Sequence, residues 1–310
     1  MRVRAFVGGE RAATYDQLRA LAVVAEDHGF EGFFRSDHYL ATGAAPGGPG
    51  PTDAWTTLAG LARDTSRLRL GTLVSAATFR PPGPLAIVVA EVDAMSGGRI
   101  ELGLGTGYHE AEHLAYGLPF PSLGERFERL AEQLEIVTGL WATPDGGRFS
   151  FEGRHYRLSV DGDLPRPVQR PRPPVIVGGE GRRRTPALAA RFADEFNIGL
   201  HDLDAARAQF DRVRRACEEV GRDPAGLRSS GVLVACCGAD EAEVRHRADV
   251  VGLPVEQLRA AGAAGRPDEV VARCRQLAEL GVDPLYLQFR DPDDADHLRL
   301  VGDEVIPALA

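Results

Sequence analysis

Short apolar runs alternate with longer amphipathic stretches along most of this chain. The runs are rich in β-branched residues, as in Val175-Ile176-Val177, whereas the stretches repeat apolar residues every three or four positions, most clearly after Ser122. Eight runs are predicted to be strands: 2–7, 32–36, 68–74, 99–104, 174–179, 195–199, 230–236 and 284–289. Helices are predicted from Thr14 onwards and near 53–65, 84–96, 122–141, 183–193, 203–220, 240–250, 267–280 and 293–308.

This order of elements predicts an α/β fold, a (β/α)8 TIM barrel that forms one domain over residues 1–310. The segment at about 143–173 interrupts the alternation, and the alternating apolar residues on either side of Gly153 indicate an inserted hairpin. An open doubly wound sheet is the alternative. Its usual Gly-x-Gly-x-x-Gly turn should follow the first strand, where only Gly8-Gly9 is found.

Composition narrows the choice of partners and compartment. The net charge of −9 is spread along the chain, so neither a nucleic acid nor a membrane surface is expected as a partner. No apolar stretch approaches the ~20 residues that cross a bilayer, and the run over residues 1–7 is too brief for a signal peptide. The four cysteines include no Cys-x-x-Cys pair, so we expect buried thiols in a cytoplasmic protein.

In TIM barrels the chemistry lies in the loops that follow the strands. The second strand ends in Ser36-Asp37-His38, which would place a histidine at the barrel mouth as a proton donor or acceptor, with Asp37 fixing it or capping a turn. The third strand leads into 71–82, whose small residues would let a planar ring approach the backbone. The fourth ends in a Gly-x-Gly-x-Gly run, a weak signal that gains weight from its position at a strand end.

The fifth strand ends in the segment 178–181, Gly-Gly-Glu-Gly, directly before three arginines, 182–184. Free backbone N–H groups and a helix N-terminus would form a phosphate cradle there, although the arginines could instead be a solvated helix face. His109 and His113 have helical spacing, but their surroundings favour structural or surface roles over a metal site. No Gly-x-Ser-x-Gly elbow supports nucleophilic hydrolysis.

Taken together, these segments resemble the luciferase-like monooxygenase superfamily. The similar segments are Ser36-Asp37-His38, Gly71 to Pro82, Gly103 to His113, Val175 to Gly179 and Ala193 to Asn197. The similarity extends over essentially the whole chain and is greatest to the subgroup that uses the deazaflavin coenzyme F420. The motifs are specific for the superfamily and less so for the cofactor.

The resemblance implies roles for individual residues. His38 corresponds to the histidine near the reactive carbon of the deazaflavin, and we take it as the catalytic residue. Asp37 precedes it, and because adjacent strand residues point in opposite directions we expect Asp37 to act through the loop backbone. Leu73 and Val74 correspond to a non-proline cis peptide that forms a bulge behind the ring. The other cofactor-binding positions implied are Thr106, Gly107 and Tyr108 at the ring, and Gly178, Gly179, Glu180 and Gly181 at the phosphate.

Two positions depart from the sugar-phosphate dehydrogenases of the family. Thr42 stands where those enzymes carry a tryptophan, and Tyr108 where they carry a glutamate. Both differences argue against oxidation of glucose 6-phosphate.

The leading hypothesis is an F420-dependent oxidoreductase that acts on a small organic substrate as a reductase and forms a homodimer. The first alternative is a monooxygenase that uses reduced FMN and oxygen in a closed pocket, and the second is a barrel that binds a flavin without catalysis. Segments 39–52 and 251–266, rich in Gly, Pro and Ala, could close over either cofactor.

Overall fold

The computed structural model describes residues 1–42, 52–161 and 164–310. Within these residues eight parallel strands pair in chain order and the last pairs with the first, which confirms the predicted barrel. The barrel strands are β1 (Val3–Val7), β2 (Gly32–Arg35), β3 (Arg69–Thr72), β4 (Ile100–Gly105), β5 (Val175–Gly178), β6 (Glu195–Gly199), β7 (Arg228–Cys237) and β8 (Val282–Phe289). A two-residue strand, Ser75–Ala76, continues β3 beside β4.

Helices cover the outside of the barrel. They are α1 (Tyr15–Asp27), α2 (Ala54–Asp64), α3 (Pro82–Ser96), α4 (Glu110–Ala115), α5 (Leu123–Ala142), α6 (Arg184–Phe192), α7 (Leu203–Glu219), α8 (Glu241–Val251), α9 (Val255–Ala261), α10 (Pro267–Glu279) and α11 (Ala295–Leu300). The end of the chain forms a π-helical turn, Val301–Val305, and a 3-10 turn, Pro307–Leu309, like that at Pro224–Gly226. Thr14 and Gln17 form the reciprocal cap that their spacing predicts at the start of α1.

Two short helices, α4 and α9, were not expected from the sequence. Segment 251–266, expected to be a covering loop, instead contains α9 and a strand, Ala263–Gly265, that pairs with the end of β7. Its Leu258 and Ala264 are buried against β7 and α8, so the apolar residues of this segment serve packing. For the other expected covering loop, 39–52, residues 43–51 lie outside the described residues.

The interruption between α5 and β5 contains the predicted hairpin. Strands Arg148–Glu152 and Arg157–Asp161 pair antiparallel, and their alternate residues are half-buried against the core. Phe149 lies where a side chain on Gly139 of α5 would stand, so this glycine makes room for the hairpin. The hairpin is thereby held against α5.

All four cysteines are free, buried thiols, as expected. In the part of the chain that the structure describes, no helix combines the length and the apolar character needed to cross a membrane.

Charged side chains fill the N-terminal end of the barrel interior. Arg4 of β1 and Glu101 of β4 have 0% of their side chains exposed, and both guanidinium NH2 groups of Arg4 donate to the carboxylate, at 2.9 and 3.0 Å. Arg4 also donates to the Tyr286 hydroxyl at 2.6 Å, which in turn donates to Glu195 at 2.7 Å. Glu31, Arg69 and Arg228 complete this cluster at its edge. We call these seven residues the basal ion cluster.

An apolar layer separates the basal ion cluster from the C-terminal mouth. It consists of Phe6, Phe34, Ile176 and the ring of Tyr286, with Leu73 and Val74 packed on top. The barrel interior is therefore charged at the bottom, apolar in the middle and open at the top, and the top is where the strand loops meet.

We expect Glu101→Gln to lower the free energy of unfolding by about 3–5 kcal/mol, because it leaves the buried charge of Arg4 without its main partner. Burial would raise the pKa of Glu101, but Arg4 and Arg69 outweigh it and lower that pKa to about 2, from 4.5. A carboxyl whose pKa is lower in the folded than in the unfolded state stabilises the fold at pH values above its unfolded pKa. The difference in the free energy of unfolding between variant and wild type should therefore shrink as the pH falls from 4.5 towards 2.

Denaturant unfolding across this pH range tests the prediction. Glu152→Gln is the matched control, since its ion pair with Arg157 is exposed and should contribute less than about 1 kcal/mol. Equal stability of the two variants at neutral pH would contradict a structural role for the basal ion cluster.

Candidate active site

A cavity of about 570 Å³ opens at the C-terminal ends of the strands. All eight barrel strands or the loops after them contribute to its wall, and Phe6 of the apolar layer lies at its base. The polar groups that line it are Glu10, Ser36, Asp37, His38, Thr42, Ser75, Thr106, Tyr108, Glu112, Glu180, Asn197 and Gln288. This concave site lies where a ligand is expected in this fold.

Val74 forms a bulge into one side of the cavity. The peptide bond between Leu73 and Val74 is cis, as the resemblance predicted. A Cβ atom on Gly103 or Gly105 of β4 would lie 2.8 or 2.9 Å from the Val74 side chain, so only glycine fits beside it. Gly105 is therefore explained by the space that Val74 occupies, whereas Gly103 is also required because a Cβ there would lie 2.1 Å from the Thr72 carbonyl oxygen.

His38 lies in the cavity wall beside the buried carboxylate of Glu112. Its Nδ1 is 3.0 Å from Oε1 of Glu112, and the same carboxylate accepts from the backbone N–H of Tyr39 at 2.9 Å. Burial alone would raise the pKa of Glu112, but the hydrogen bonds from His38 and the backbone outweigh it and the pKa is lowered. An ionised carboxylate only accepts, so the Nδ1 of His38 carries a proton and Nε2 is the nitrogen left for the cavity.

Tyr108 stands at the mouth with 69% of its surface exposed. Its hydroxyl is 3.5 Å from Nε2 of His38, and the two rings meet edge to face. Burial of its inner part, together with Glu10 and Glu112, raises the pKa of Tyr108. The preceding Gly107 has φ +74° and little room for a side chain beside Ala76, so the turn that presents Tyr108 requires glycine.

Asp37 points away from the His38 ring. Its carboxylate accepts from the Ser75 hydroxyl at 2.6 Å and pairs with Arg80, which also binds Asp53. The Trp55 indole donates to Ser75 at 3.2 Å. Asp37 therefore fixes the loops after β2 and β3 to each other, and Glu112, not Asp37, orients His38.

The loop after β5 leads from the cavity to the N-terminus of α6. Gly178, Gly179 and Glu180 line the cavity, whereas Gly181 does not; its carbonyl accepts from Gln209 at 2.9 Å. Gly179 has φ +136°, which favours glycine. Arg183 at the N-cap of α6 makes no capping hydrogen bond with its side chain, which leaves the positive end of the helix for an anion.

A second cavity of about 340 Å³ adjoins this loop, and Arg182 and Arg212 lie in its wall. Arg182, Arg183 and Arg184 are all exposed, and Arg184 donates to the carbonyl of Gly124 at 3.0 Å. Of these three arginines, Arg182 lies in the wall of the second cavity, whereas Arg183 and Arg184 lie on the surface at the start of α6.

Comparison with known proteins decides the family. The sequence profile described as luciferase-like monooxygenase matches residues 1–257. The chain belongs to the luciferase-like monooxygenase family. An F420-dependent glucose-6-phosphate dehydrogenase from Nakamurella multipartita is 31% identical over an alignment of 330 positions, gaps included. The alignment covers 94% of this chain and 92% of the dehydrogenase.

Several solved structures share the fold. The F420-dependent tetrahydromethanopterin reductase from Methanopyrus kandleri has a TM-score of 0.83 at 21% identity, covering 100% of this chain and 99% of its own. The EDTA monooxygenase from Chelativorans sp. BNC1 has a TM-score of 0.84 at 20% identity, covering 100% and 93%. At these identities the likeness supports the barrel and does not separate the two kinds of chemistry.

In this luciferase-like chain, the site residues predicted from the sequence make up ten of the twenty-five residues that line the cavity. The predicted site residues all line it except Gly181. Sequence reasoning missed Glu112 as the partner of His38, although the residue lies within a motif that carries the resemblance. It also missed Glu10, Asn197 and Gln288, whose positions at strand ends were the available signal.

We expect Glu112 to fix the tautomer of His38. In wild-type protein, neutral His38 should carry its proton on Nδ1, and in Glu112→Ala this preference should be lost. The nitrogen chemical shifts of the imidazole ring, measured by NMR, distinguish the two tautomers. The variant should also lose about 1–3 kcal/mol of stability, because the backbone N–H groups of Tyr39 and Leu40 lose their acceptor.

Glu110→Gln, an exposed change on the same helix, is the control and should alter neither property. If His38 keeps the Nδ1–H form in Glu112→Ala, another group sets the tautomer.

Proposed function

We propose that this protein is a coenzyme F420-dependent oxidoreductase that reduces a small organic substrate, with His38 as its catalytic acid and base. The single observation that carries the proposal is the His38–Glu112 pair, with Nε2 of His38 directed to the cavity between Tyr108 and the Val74 bulge. The F420-dependent relative that aligns with nearly the full chain supports the choice of cofactor.

The shape of the cavity fits a planar tricyclic ring with a phosphate-bearing tail. Glycine at the ends of β4 and β5 leaves the ring room against Val74, and Leu73, Val74, Thr106, Gly107 and Tyr108 would contact it. Gly178, Gly179 and Glu180, which line the cavity just before the uncapped start of α6, would form the phosphate end of the site. Asp37 would contribute by holding the loops around the ring in place.

When bound, F420 supplies hydride chemistry, since the ring has carbon where a flavin has its central nitrogen. The contribution of the protein is to position the substrate and to handle a proton. His38 can donate or accept that proton at Nε2, while Glu112 stabilises the protonated imidazole through Nδ1. The sugar-phosphate substrate of the relative is not carried over, because Thr42 and Tyr108 replace two of the characteristic residues.

An FMN-dependent monooxygenase is the second candidate, and the EDTA monooxygenase with the same barrel favours it. Titration of the purified protein with F420 and with FMN, each oxidised and reduced, separates the two. Tighter binding of FMN, with substrate-dependent oxygen consumption, would replace the F420 proposal.

Assembly and location complete the proposal. We propose a homodimer, because the large apolar side chains Leu114, Tyr116 and Leu123 are exposed along one segment of the chain. The four free thiols support a cytoplasmic location. Sedimentation of the purified protein tests the dimer.

Replacement of His38 by alanine should leave F420 binding nearly unchanged and lower turnover by about 10²–10⁴-fold, the usual contribution of a positioned acid or base. Oxidation of reduced F420 by a panel of carbonyl and enone acceptors provides the assay. Tyr108→Phe is the comparison, since it removes only the hydroxyl beside Nε2. Unchanged turnover in His38→Ala would make the histidine structural, whereas lost coenzyme binding would place it in the ring pocket without proving catalysis.

Substitution of Gly179 by valine should weaken F420 binding at least about ten-fold, because a branched side chain is strained at φ +136° and would displace the loop at the phosphate end of the cavity. Gly146→Val is the matched control, because Gly146 also has positive φ, +67°, but lies in the turn before the hairpin. Affinity of Gly179→Val within a factor of about two of the control would place the phosphate elsewhere.

A further inference from the structure

Glu112 can orient His38 only if α4, the helix that carries it, is itself held in place. α4 has six residues, and of these Glu112 and His113 are buried. Its N-cap residue, His109, makes no capping hydrogen bond with its side chain. A helix of fewer than two turns gains little stability from its own backbone, so the position of α4 depends on the contacts of its two buried side chains.

His113 fixes α4 to the loop after β3. It is 0% exposed, and its ring packs against Phe79 and Phe120, with ring centroids 5.0 and 4.8 Å away. Nδ1 is 2.8 Å from the carbonyl oxygen of His109, which can only accept, so Nδ1 carries a proton. Nε2 is 2.6 Å from the Thr78 hydroxyl. Both partners are uncharged, and a buried charge would need a carboxylate, so the ring is neutral and Nε2 accepts from Thr78.

Thr78 also lies against the turn that presents Tyr108. A Cβ on Gly107 would be 3.1 Å from the Thr78 hydroxyl oxygen and 3.8 Å from the His113 ring, so both side chains pack against this turn. The hydrogen bond between them therefore lies at both ends of the segment that faces the catalytic histidine.

We propose that Thr78 and His113 are positioning residues of the active site. Their hydrogen bond holds α4 where the Glu112 carboxylate meets His38. Without the Thr78 hydroxyl, Nε2 of His113 is a buried acceptor that has lost its donor, and the cost of the unmade bond favours a displacement of α4. The inference rests on the proposed function where it concerns turnover, but not where it concerns the pairing of His38 with Glu112.

Replacement of Thr78 by valine removes the hydroxyl and nearly keeps the shape of the side chain. In coenzyme-free Thr78→Val, the nitrogen chemical shifts of His38 should show that the preference for the Nδ1–H tautomer is lost. Thr78→Ser, which keeps the hydroxyl, should retain the wild-type tautomer.

Turnover is the second measurement, with reduced F420 and one of the carbonyl or enone acceptors. In Thr78→Val kcat should fall about ten-fold, because His38 is no longer held in its productive orientation, while the affinity for F420 stays within a factor of about two. Thr138→Val is the matched control, since the Thr138 hydroxyl donates at 2.7 Å to the Leu134 carbonyl within α5, and it should alter neither measurement.

A wild-type His38 tautomer in folded Thr78→Val would overturn the proposal, as would equal effects of the valine variant and of either Thr78→Ser or Thr138→Val. Circular dichroism establishes whether Thr78→Val is folded, and Thr78→Ala replaces it if it is not. If neither variant folds, the hydrogen bond serves stability alone and the proposal is overturned. Failure of wild-type protein to oxidise reduced F420 would overturn the proposed function instead, since the His38 tautomer is measured without coenzyme.

Discussion

The guanidinium of Arg4 places a permanent charge inside the barrel, and the rest of the interior is arranged around it. Its side chain is 0% exposed, so Glu101, Glu195 and Tyr286 from other strands must surround it. Burial and the neighbouring Glu101 raise the pKa of Glu195, whereas Arg4 keeps that of Glu101 low. An ion cluster of this kind contributes little net stability when intact but is costly to break, so it favours one closed arrangement of the strands.

This arrangement leaves the opposite end of the barrel free for function. The apolar layer of Phe6, Phe34 and Ile176 separates the two ends, and above it side chains give way to glycine on β4 and β5. Val74 and a ligand can occupy that end because Gly103, Gly105 and Gly178 carry no side chains. The basal ion cluster fills one end of the barrel interior, and the cavity occupies the other.

Within the mouth, the polar groups are positioned by partners distant in the chain. His38 is oriented by Glu112, 74 residues away, and Asp37 is held by Arg80, 43 residues away. TIM barrels place their chemistry at this end, and the same scaffold carries a reductase and a monooxygenase among the solved structures. In this chain the groups nearest His38 are the buried carboxylate of Glu112 and the exposed hydroxyl of Tyr108.

The sequence by itself determined the barrel, the hairpin and part of the cavity wall. Strand periodicity depends on residues two apart and helix periodicity on residues three or four apart, and the C-terminal ends of parallel strands in a barrel must meet at one mouth. The sequence did not determine the pairing of His38 with Glu112, the pairing of Asp37 with Arg80 or the exclusion of Gly181 from the cavity. These depend on side-chain directions and on contacts between distant loops, which only the closed barrel brings within hydrogen-bonding distance.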